Sequence, residues 1–297
     1  MRSAAARASV CHNAHPATEM RAAAEEAERT VDRAMTTLSL DRGVYDALAA
    51  IDASLRDTLA TLWNTFSFFT TYASLNGFDP ADPQIPAEAD RPAIDRWILS
   101  RLDAVTEVVT TSLDGYEPLA ATGPLSELID DLSNWYVRRS RRRFWRTDPS
   151  APASDSLAAQ ATLLTVLRTL TSLMAPFTPF VAERLYHELF EVAESDSVHL
   201  TDWPERVPGR RDVALEESMD VARRLTSLGR AARAEAGVKV RQPLARALVF
   251  VPTGAPRPPE GVVEDELNVD ALEFGGDLGD VLSFEIVPNF RLVGPLL

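Results

Sequence analysis

Residues 125–146 read LSELIDDLSNWYVRRSRRRFWR, and this stretch decides the fold because its two halves follow different rules. In the first half apolar residues recur at steps of three and four, which predicts a helix with one buried face. That face comprises Leu125, Leu128, Ile129, Leu132, Trp135 and Tyr136. Continuing the same steps would carry Arg139 and Arg143 into the core. Because burying an unpaired arginine is too costly, the second half must leave the bundle or meet an anionic partner.

Helical spacing extends upstream of this stretch. One helix is expected from about Val44 through the aromatic run near Trp63, after a break at Asp41-Arg42-Gly43. Another opens at Arg91-Pro92, since proline is tolerated in a first helical turn. The residues predicted to be core on these two helices are Leu55, Leu59, Leu62, Phe66, Phe69, Ile94, Trp97, Ile98, Leu102 and Val105.

Downstream, a polar segment from Asp148 to Ser156 is expected to end the arginine-rich helix. The helix predicted from about Leu157 to Met174 is apolar on most sides, which is typical of the middle of a bundle. A further helix is predicted from Leu215 to about Ala236. These patterns indicate a helical bundle.

The character of the chain changes after Gln242-Pro243. Ala247 to Val251 reads as a strand, Glu260 to Leu267 as a short helix, and 269–274 and 281–287 as strands between Gly-Asp turns. The predicted organisation is a disordered N-terminus at 1–18, a helical segment of unclear origin at 19–58, a helical bundle at 59–240 and a small α/β region at 241–297.

Composition narrows the class of protein. With 297 residues and 45% apolar content, the chain can bury a globular core. No run approaches the roughly 20 apolar residues of a membrane span, and the first residues lack the continuous apolar segment of a signal peptide. We therefore expect a cytoplasmic protein that has no membrane partner. Cys11 is the only cysteine, which excludes an internal disulfide and a thiolate zinc cluster. With only His12 and His15 nearby, no metal site is expected.

The charge balance argues against a nucleic-acid partner at first sight. The net charge is −14, whereas phosphate binding draws its affinity from cationic side chains. Lys239 is the only lysine, however, and the arginines are clustered. An acidic protein can still present a local basic surface.

The arginine-rich half of the opening stretch is the first functional candidate. Arginine offers a planar fork for phosphate, and neighbouring Trp and Tyr rings can stack on bases. Alternatively, these arginines pair with the many acidic residues elsewhere and favour the helix end through its dipole. Composition alone leaves both open.

A second basic candidate follows Arg224, Arg230 and Arg233, in the segment from Gly237 to Leu244. A basic helix that ends at a glycine and passes into Lys-x-Arg-Gln would present donors to a sugar-phosphate backbone. The alternative is a helix stop at a domain junction.

Catalytic constellations are scarce. His187 and His199 have no nearby serine or cysteine nucleophile and are interpreted as structural histidines. Asp130 and Asp131 are interpreted as ordinary helix-surface residues, and no Gly-rich phosphate loop is present. The residues therefore indicate an anion-binding helical protein and name no reaction.

Several segments, in order and at matching separations, closely resemble isoleucyl-tRNA synthetases over about residues 59–291. They are LWNTF at 62–66, DRWILS at 95–100, NWYVRRSRRRFW at 134–145, MAPFTPF at 174–180, SVHLTDWP at 197–204 and KVRQPL at 239–244. The resemblance implies a mainly α fold: the anticodon-binding helical bundle of a class I synthetase, followed by a small α/β appendix.

The resemblance also implies a partner, tRNA, and specifically isoleucine tRNA. The contacts that the resemblance implies lie at the end of the arginine-rich helix and in the segment from Gly237 to Leu244, which we call the Lys239 loop. The predicted tRNA-binding residues are Asn134, Trp135, Arg138, Arg139, Arg141, Arg142, Arg143, Trp145, Arg146, Lys239, Arg241 and Gln242.

The departures from the family concern catalysis. The family's His-x-Gly-His and Lys-Met-Ser-Lys-Ser motifs do not occur, so no catalytic residue is predicted. No cofactor is expected in this chain, since ATP and magnesium would belong to the missing catalytic domain, supplied in trans by another chain. We expect a fragment, a truncated product or a paralogue. The alternative function is a stand-alone regulatory or protein-interaction protein that has lost RNA binding.

Overall fold

A computed structural model describes residue 29 and residues 42–145, 153–190, 192–193, 195–250 and 254–275; for 42–56 it describes the backbone. The chain divides into two compact units, Met1–Ala60 and Thr61–Leu297. The predictions for the N-terminal segment, including Cys11, His12 and His15, lie outside the described residues.

The described chain is mainly α, as predicted. Its helices are α1 (Arg42–Asn76), α2 (Ala93–Asp114), α3 (Pro118–Asp130), α4 (Arg138–Phe144), α5 (Ala153–Met174), α6 (Pro179–Phe190), α7 (Val213–Glu235) and α8 (Val262–Leu267). Short 3₁₀ turns lie at Glu88–Asp90 and Val198–Leu200.

Helix α2 lies at the centre of the bundle and contacts α3, α5 and α7. Trp97, Ile98 and Leu102 are fully buried on it, because apolar residues at helical steps remove a continuous stripe from water. On α1, Leu62, Phe66 and Phe69 are buried as well, whereas Leu59 is half-buried. Of the ten residues predicted to be core on these two helices, seven are buried, Leu59 and Ile94 are half-buried, and the side chain of Leu55 lies outside the described part of the structure.

Helix α5 is long and apolar enough to cross a membrane by composition alone, but 72% of its most apolar window is buried inside the protein. That burial is what a central bundle helix requires, as the sequence predicts. Two predicted boundaries differ from the structure. Arg42 and Gly43, which are predicted to belong to a break, lie in α1, whereas Asp41 lies outside the described residues. Ser154, part of the polar segment expected outside helices, lies in α5.

Residues 125–144 form one helical run, in which α3 continues through a π-helical segment (Asp131–Val137) into α4. All six residues of its predicted apolar face are buried. A π-helical turn is wider than an α-turn and is often found at functional sites. Here it brings Trp135 and Tyr136 into the core directly before the arginines begin.

The C-terminal part is a small α/β unit, as predicted. Strands β1 (Ala247–Val249) and β2 (Leu272–Phe274) pair in parallel, with Ala247 opposite Leu272. Parallel strands need a crossover, and α8 provides it. The strand predicted at 281–287 lies outside the described residues.

Candidate nucleic-acid interface

Arg143 is held inside the bundle. Its two Nη atoms donate to the carboxylate oxygens of Asp95 at 2.6 and 2.7 Å, and its Nε donates to Asp155 Oδ1 at 2.9 Å. The Tyr136 hydroxyl donates to the same Asp95 at 2.9 Å. The sequence places Arg143 on the core face, and paired carboxylates make that position tolerable.

Arg143 and Tyr136 of this network each keep one ionisation state. Burial alone lowers the pKa of Arg143, but the hydrogen bonds and negative charge of Asp95 outweigh it and raise that pKa. Burial, reinforced by the charge of Asp95, raises the pKa of Tyr136 well above its ordinary value. Arginine therefore stays charged and tyrosine neutral.

Two further arginines of α4 converge on one carboxylate of α8. Arg138 Nη2 and Arg139 Nη1 each donate to Glu266 Oε1 at 2.8 Å, and Arg230 of α7 donates to Glu266 Oε2. Arg139 also donates to the Val262 carbonyl at 3.0 Å. We call Arg138, Arg139, Arg230 and Glu266 the Glu266 cluster. It joins the arginine helix, α7 and the C-terminal unit.

Trp135 is enclosed by the same basic side chains. The guanidinium carbons of Arg138 and Arg139 each lie 5.6 Å from its ring centroid, and that of Arg223 lies 5.9 Å away. Its indole Nε1 lies 3.2 Å from Met219 Sδ. The ring is buried, so these cation–π contacts occupy the surface that a base would need. Its contact with tRNA stays a prediction.

The outer end of the arginine helix is different. Arg141 and Arg142 are exposed, and neither has an ion pair within the part of the chain that the structure describes. Trp145 is also exposed and donates from Nε1 to the Tyr72 hydroxyl at 3.0 Å. Asn134 is exposed and donates to Asp130 Oδ1 at 2.6 Å. Arg146 lies outside the described residues.

The Lys239 loop is rigidly tied although its side chains are exposed. Buried Arg233 donates from Nη1 to the carbonyls of Lys239 and Gln242 at 3.2 and 3.0 Å, and from Nη2 to that of Asn268 at 3.1 Å. Asn268 in turn donates to the Val240 carbonyl at 3.3 Å. Lys239, Arg241 and Gln242 are all exposed. The loop therefore presents them from a fixed backbone.

The structure links the two predicted basic segments through α7 and α8. Arg230 belongs to the Glu266 cluster, and Arg233, three residues later on α7, holds the Lys239 loop. Glu266 and Asn268 likewise lie two residues apart. Sequence reasoning missed Glu266 and Asn268, because no local spacing connects them to arginines that lie 35 to 128 residues earlier in the chain.

Two polar predictions need correction. Asp131 is buried between Arg101, whose Nε lies 3.2 Å away, and Arg223, so it is not an ordinary surface residue. Burial raises its pKa, although both arginines act to lower it. His199 is exposed on the second 3₁₀ turn, whereas a structural role is predicted for it. His187 lies 3.4 Å from Glu183, within ion-pair distance when protonated.

The described chain combines a helical bundle with a basic helix end and a basic loop, as expected of an anticodon-binding domain. Residues 95–249, slightly more than half of the chain, match the anticodon-binding domain of tRNA ligase. The chain belongs to this family of anticodon-binding domains.

More particularly, the chain matches isoleucine–tRNA ligases. It is 46% identical to that of Streptomyces coelicolor over 253 residues, 43% identical to that of Thermobifida fusca and 41% identical to that of Thermus thermophilus over 251 residues each. These matches cover 82%, 82% and 81% of this chain and 23% of each relative. The chain thus spans about a quarter of their length, in part of the anticodon-binding region.

Proposed function

We propose that the chain binds tRNA, and isoleucine tRNA in preference to others, through the exposed end of the arginine helix. The observation that carries the proposal is the pair Arg141 and Arg142, exposed cations without an ion pair among the described residues. Arginines whose charge is not spent inside the protein retain their full attraction for phosphate. The match to anticodon-binding domains supports tRNA as the polyanion.

Aromatic contacts would supply the recognition of bases. Trp145 lies next to these arginines in sequence, is exposed, and is oriented by its hydrogen bond to the Tyr72 hydroxyl. An aromatic ring that is already oriented loses little further conformational entropy when it stacks on an unstacked base. We infer that arginine–phosphate contacts provide affinity and that Trp145 contributes to loop recognition.

The activity of the whole ligase belongs to the proposal as well. We propose that the chain serves aminoacylation of isoleucine tRNA in the cytoplasm, together with a catalytic domain that carries the ATP and magnesium chemistry. The sequence of this chain lacks the two catalytic motifs that such a domain carries.

A second candidate function is a protein-interaction or regulatory role without RNA. It is favoured by the internal ion pairs of Arg138, Arg139 and Arg143, because three of the predicted tRNA-binding arginines bind carboxylates of the protein itself. The net charge of −14 favours it too.

Binding of the purified chain to isoleucine tRNA and a non-cognate tRNA across a salt series tests the proposal. Replacing Arg141 and Arg142 by Ala should weaken binding and reduce the slope of log K against log salt by about 0.7–0.9 for each lost phosphate contact. The matched control replaces Arg206 and Arg211, two exposed arginines that both pair with Glu107, and changes the net charge equally. Equal losses in both double variants, or no binding of the wild type at low salt, would contradict the proposal.

A further inference from the structure

The Glu266 cluster contains more positive than negative charge. Three guanidiniums meet the carboxylate of Glu266, which is 5% exposed, and Arg139 also lies 3.4 Å from Asp265, which is 78% exposed. Counting both carboxylates, one positive charge remains uncompensated. Such a surplus beside a protein surface attracts an anion.

The surplus is available on two of the three arginines. Arg139 is 12% exposed and is committed to Glu266 and Val262. Arg138 is 38% exposed and Arg230 is 45% exposed. Within the described residues, Arg138 Nη1 has no hydrogen-bond partner, and neither do Nε and Nη1 of Arg230. Each side chain therefore binds Glu266 with one edge of its fork and leaves donors on another.

We propose that Arg138 and Arg230, held by Glu266, form a phosphate-binding pair for the RNA backbone. The inference rests on the proposed tRNA binding and extends the interface from α4 to α7, through a residue that is not among the predicted contacts. A guanidinium with a free N–H edge binds a phosphate oxygen through charge-assisted hydrogen bonds. Glu266 is the positioning residue, because it fixes both guanidiniums before RNA arrives.

Competition between Glu266 and phosphate is the opposite possibility, and the packing of α8 argues against it. Glu266 is buried, and the next residue, Leu267, is buried against Gly229 of α7, where an added Cβ would clash with the Leu267 side chain. Displacing the carboxylate would therefore require unpacking α8 from α7. A phosphate gains more by using the free edges than by opening this contact.

The sign of one substitution separates the two mechanisms. Glu266→Gln removes a negative charge, so simple electrostatics and competition both predict tighter RNA binding. Positioning predicts weaker binding, by about tenfold, the scale of one hydrogen bond to a charged group. Asp265→Asn is the matched control, because it removes the same charge from the same helix at an exposed position, and it should leave affinity unchanged or slightly higher.

The arginines give an independent test that survives if Glu266→Gln fails to fold. Arg230→Lys keeps the charge but loses the fork, and should weaken tRNA binding while thermal unfolding changes little. Arg138→Ala and Arg230→Ala should each lower the salt slope, and the double variant should lose less than the sum of the two, since they share one phosphate.

Wild-type affinity for Arg230→Lys, or tighter binding by Glu266→Gln, would overturn the phosphate-binding pair while leaving tRNA binding by the chain intact. Failure of the wild-type chain to bind tRNA at all would instead refute the proposed function on which the pair rests.

Discussion

Replacing Arg143 by Met should destabilise the fold far more than replacing either exposed arginine of the same helix, Arg141 or Arg142. Asp95 is 0% exposed, and Arg143, 14% exposed, is the cation that binds both of its oxygens. Without that partner the carboxylate keeps only the Tyr136 hydroxyl among the side-chain donors described. Stranding a buried charge in this way costs about 3–5 kcal/mol, a large part of the about 5–15 kcal/mol that holds a typical domain together.

Urea unfolding followed by circular dichroism measures this cost. Arg141→Ala and Arg142→Ala are the internal controls, since exposed side chains usually change the free energy of unfolding by no more than about 0.5 kcal/mol each. The double variant Asp95→Asn with Arg143→Met should be more stable than Arg143→Met alone, because no charge is then left buried without a partner.

A loss below about 1 kcal/mol for Arg143→Met, or a double variant that loses the sum of both single losses, would refute this reasoning about the buried pair. The same protein also tests the predicted RNA contact of Arg143. If the folded variant binds tRNA as the wild type does, Arg143 serves the fold alone.

Two further predictions concern the loop and the buried carboxylate. Arg233→Met should leave the carbonyls of Lys239 and Gln242 without this donor and lower the free energy of unfolding by about 1–3 kcal/mol. Amide hydrogen exchange at 238–244 should become faster. Unchanged exchange there would contradict the role of Arg233 in holding the Lys239 loop. For Asp131, burial raises the pKa above its ordinary 3.8, so the folded state takes up this proton at higher pH than the unfolded state. The contribution of Asp131 to stability is therefore fully present below pH 3.8, its ordinary pKa, which it has in the unfolded state. It is lost as the pH rises through the higher pKa that Asp131 has in the folded state. The free energy of unfolding of the wild type, relative to that of Asp131→Asn, should be greater at about pH 4 than at about pH 7. Urea unfolding at both pH values measures this difference, and the opposite trend would contradict the prediction.

The helices of the bundle could be predicted because burial periodicity is a local property. The six apolar positions from Leu125 to Tyr136 needed only their spacing, and all are buried. The helical state of Gly43 could not be predicted, because one glycine costs a helix only about 1 kcal/mol and does not by itself end it. Gly43 lies within the described range of α1, Arg42–Asn76.

The arginine helix shows where local reasoning stops. Spacing places Arg139 and Arg143 on the core face and demands anionic partners, which is correct as far as it goes. The buried partners, however, are Asp95, 48 residues from Arg143, and Glu266, 127 residues from Arg139; only Asp155, the second partner of Arg143, is as near as 12 residues. Such pairings depend on how the helices and the C-terminal unit pack, and no spacing rule supplies that. Of the two alternatives that the sequence leaves open, the structure shows internal ion pairs for Arg138, Arg139 and Arg143, whereas Arg141 and Arg142 have no ion pair among the described residues.

The same division is how an acidic chain could carry the proposed RNA site. A free arginine side chain holds about 2 kcal/mol of rotamer entropy, which binding must remove. Where a buried carboxylate already holds the guanidinium, as Glu266 holds Arg138 and Arg230, folding has removed most of that freedom beforehand. The carboxylate lowers the local charge yet raises the number of arginines in position. Affinity for phosphate then follows the arrangement of a few arginines more closely than the net charge of −14, and the effect of Glu266→Gln measures which of the two is larger.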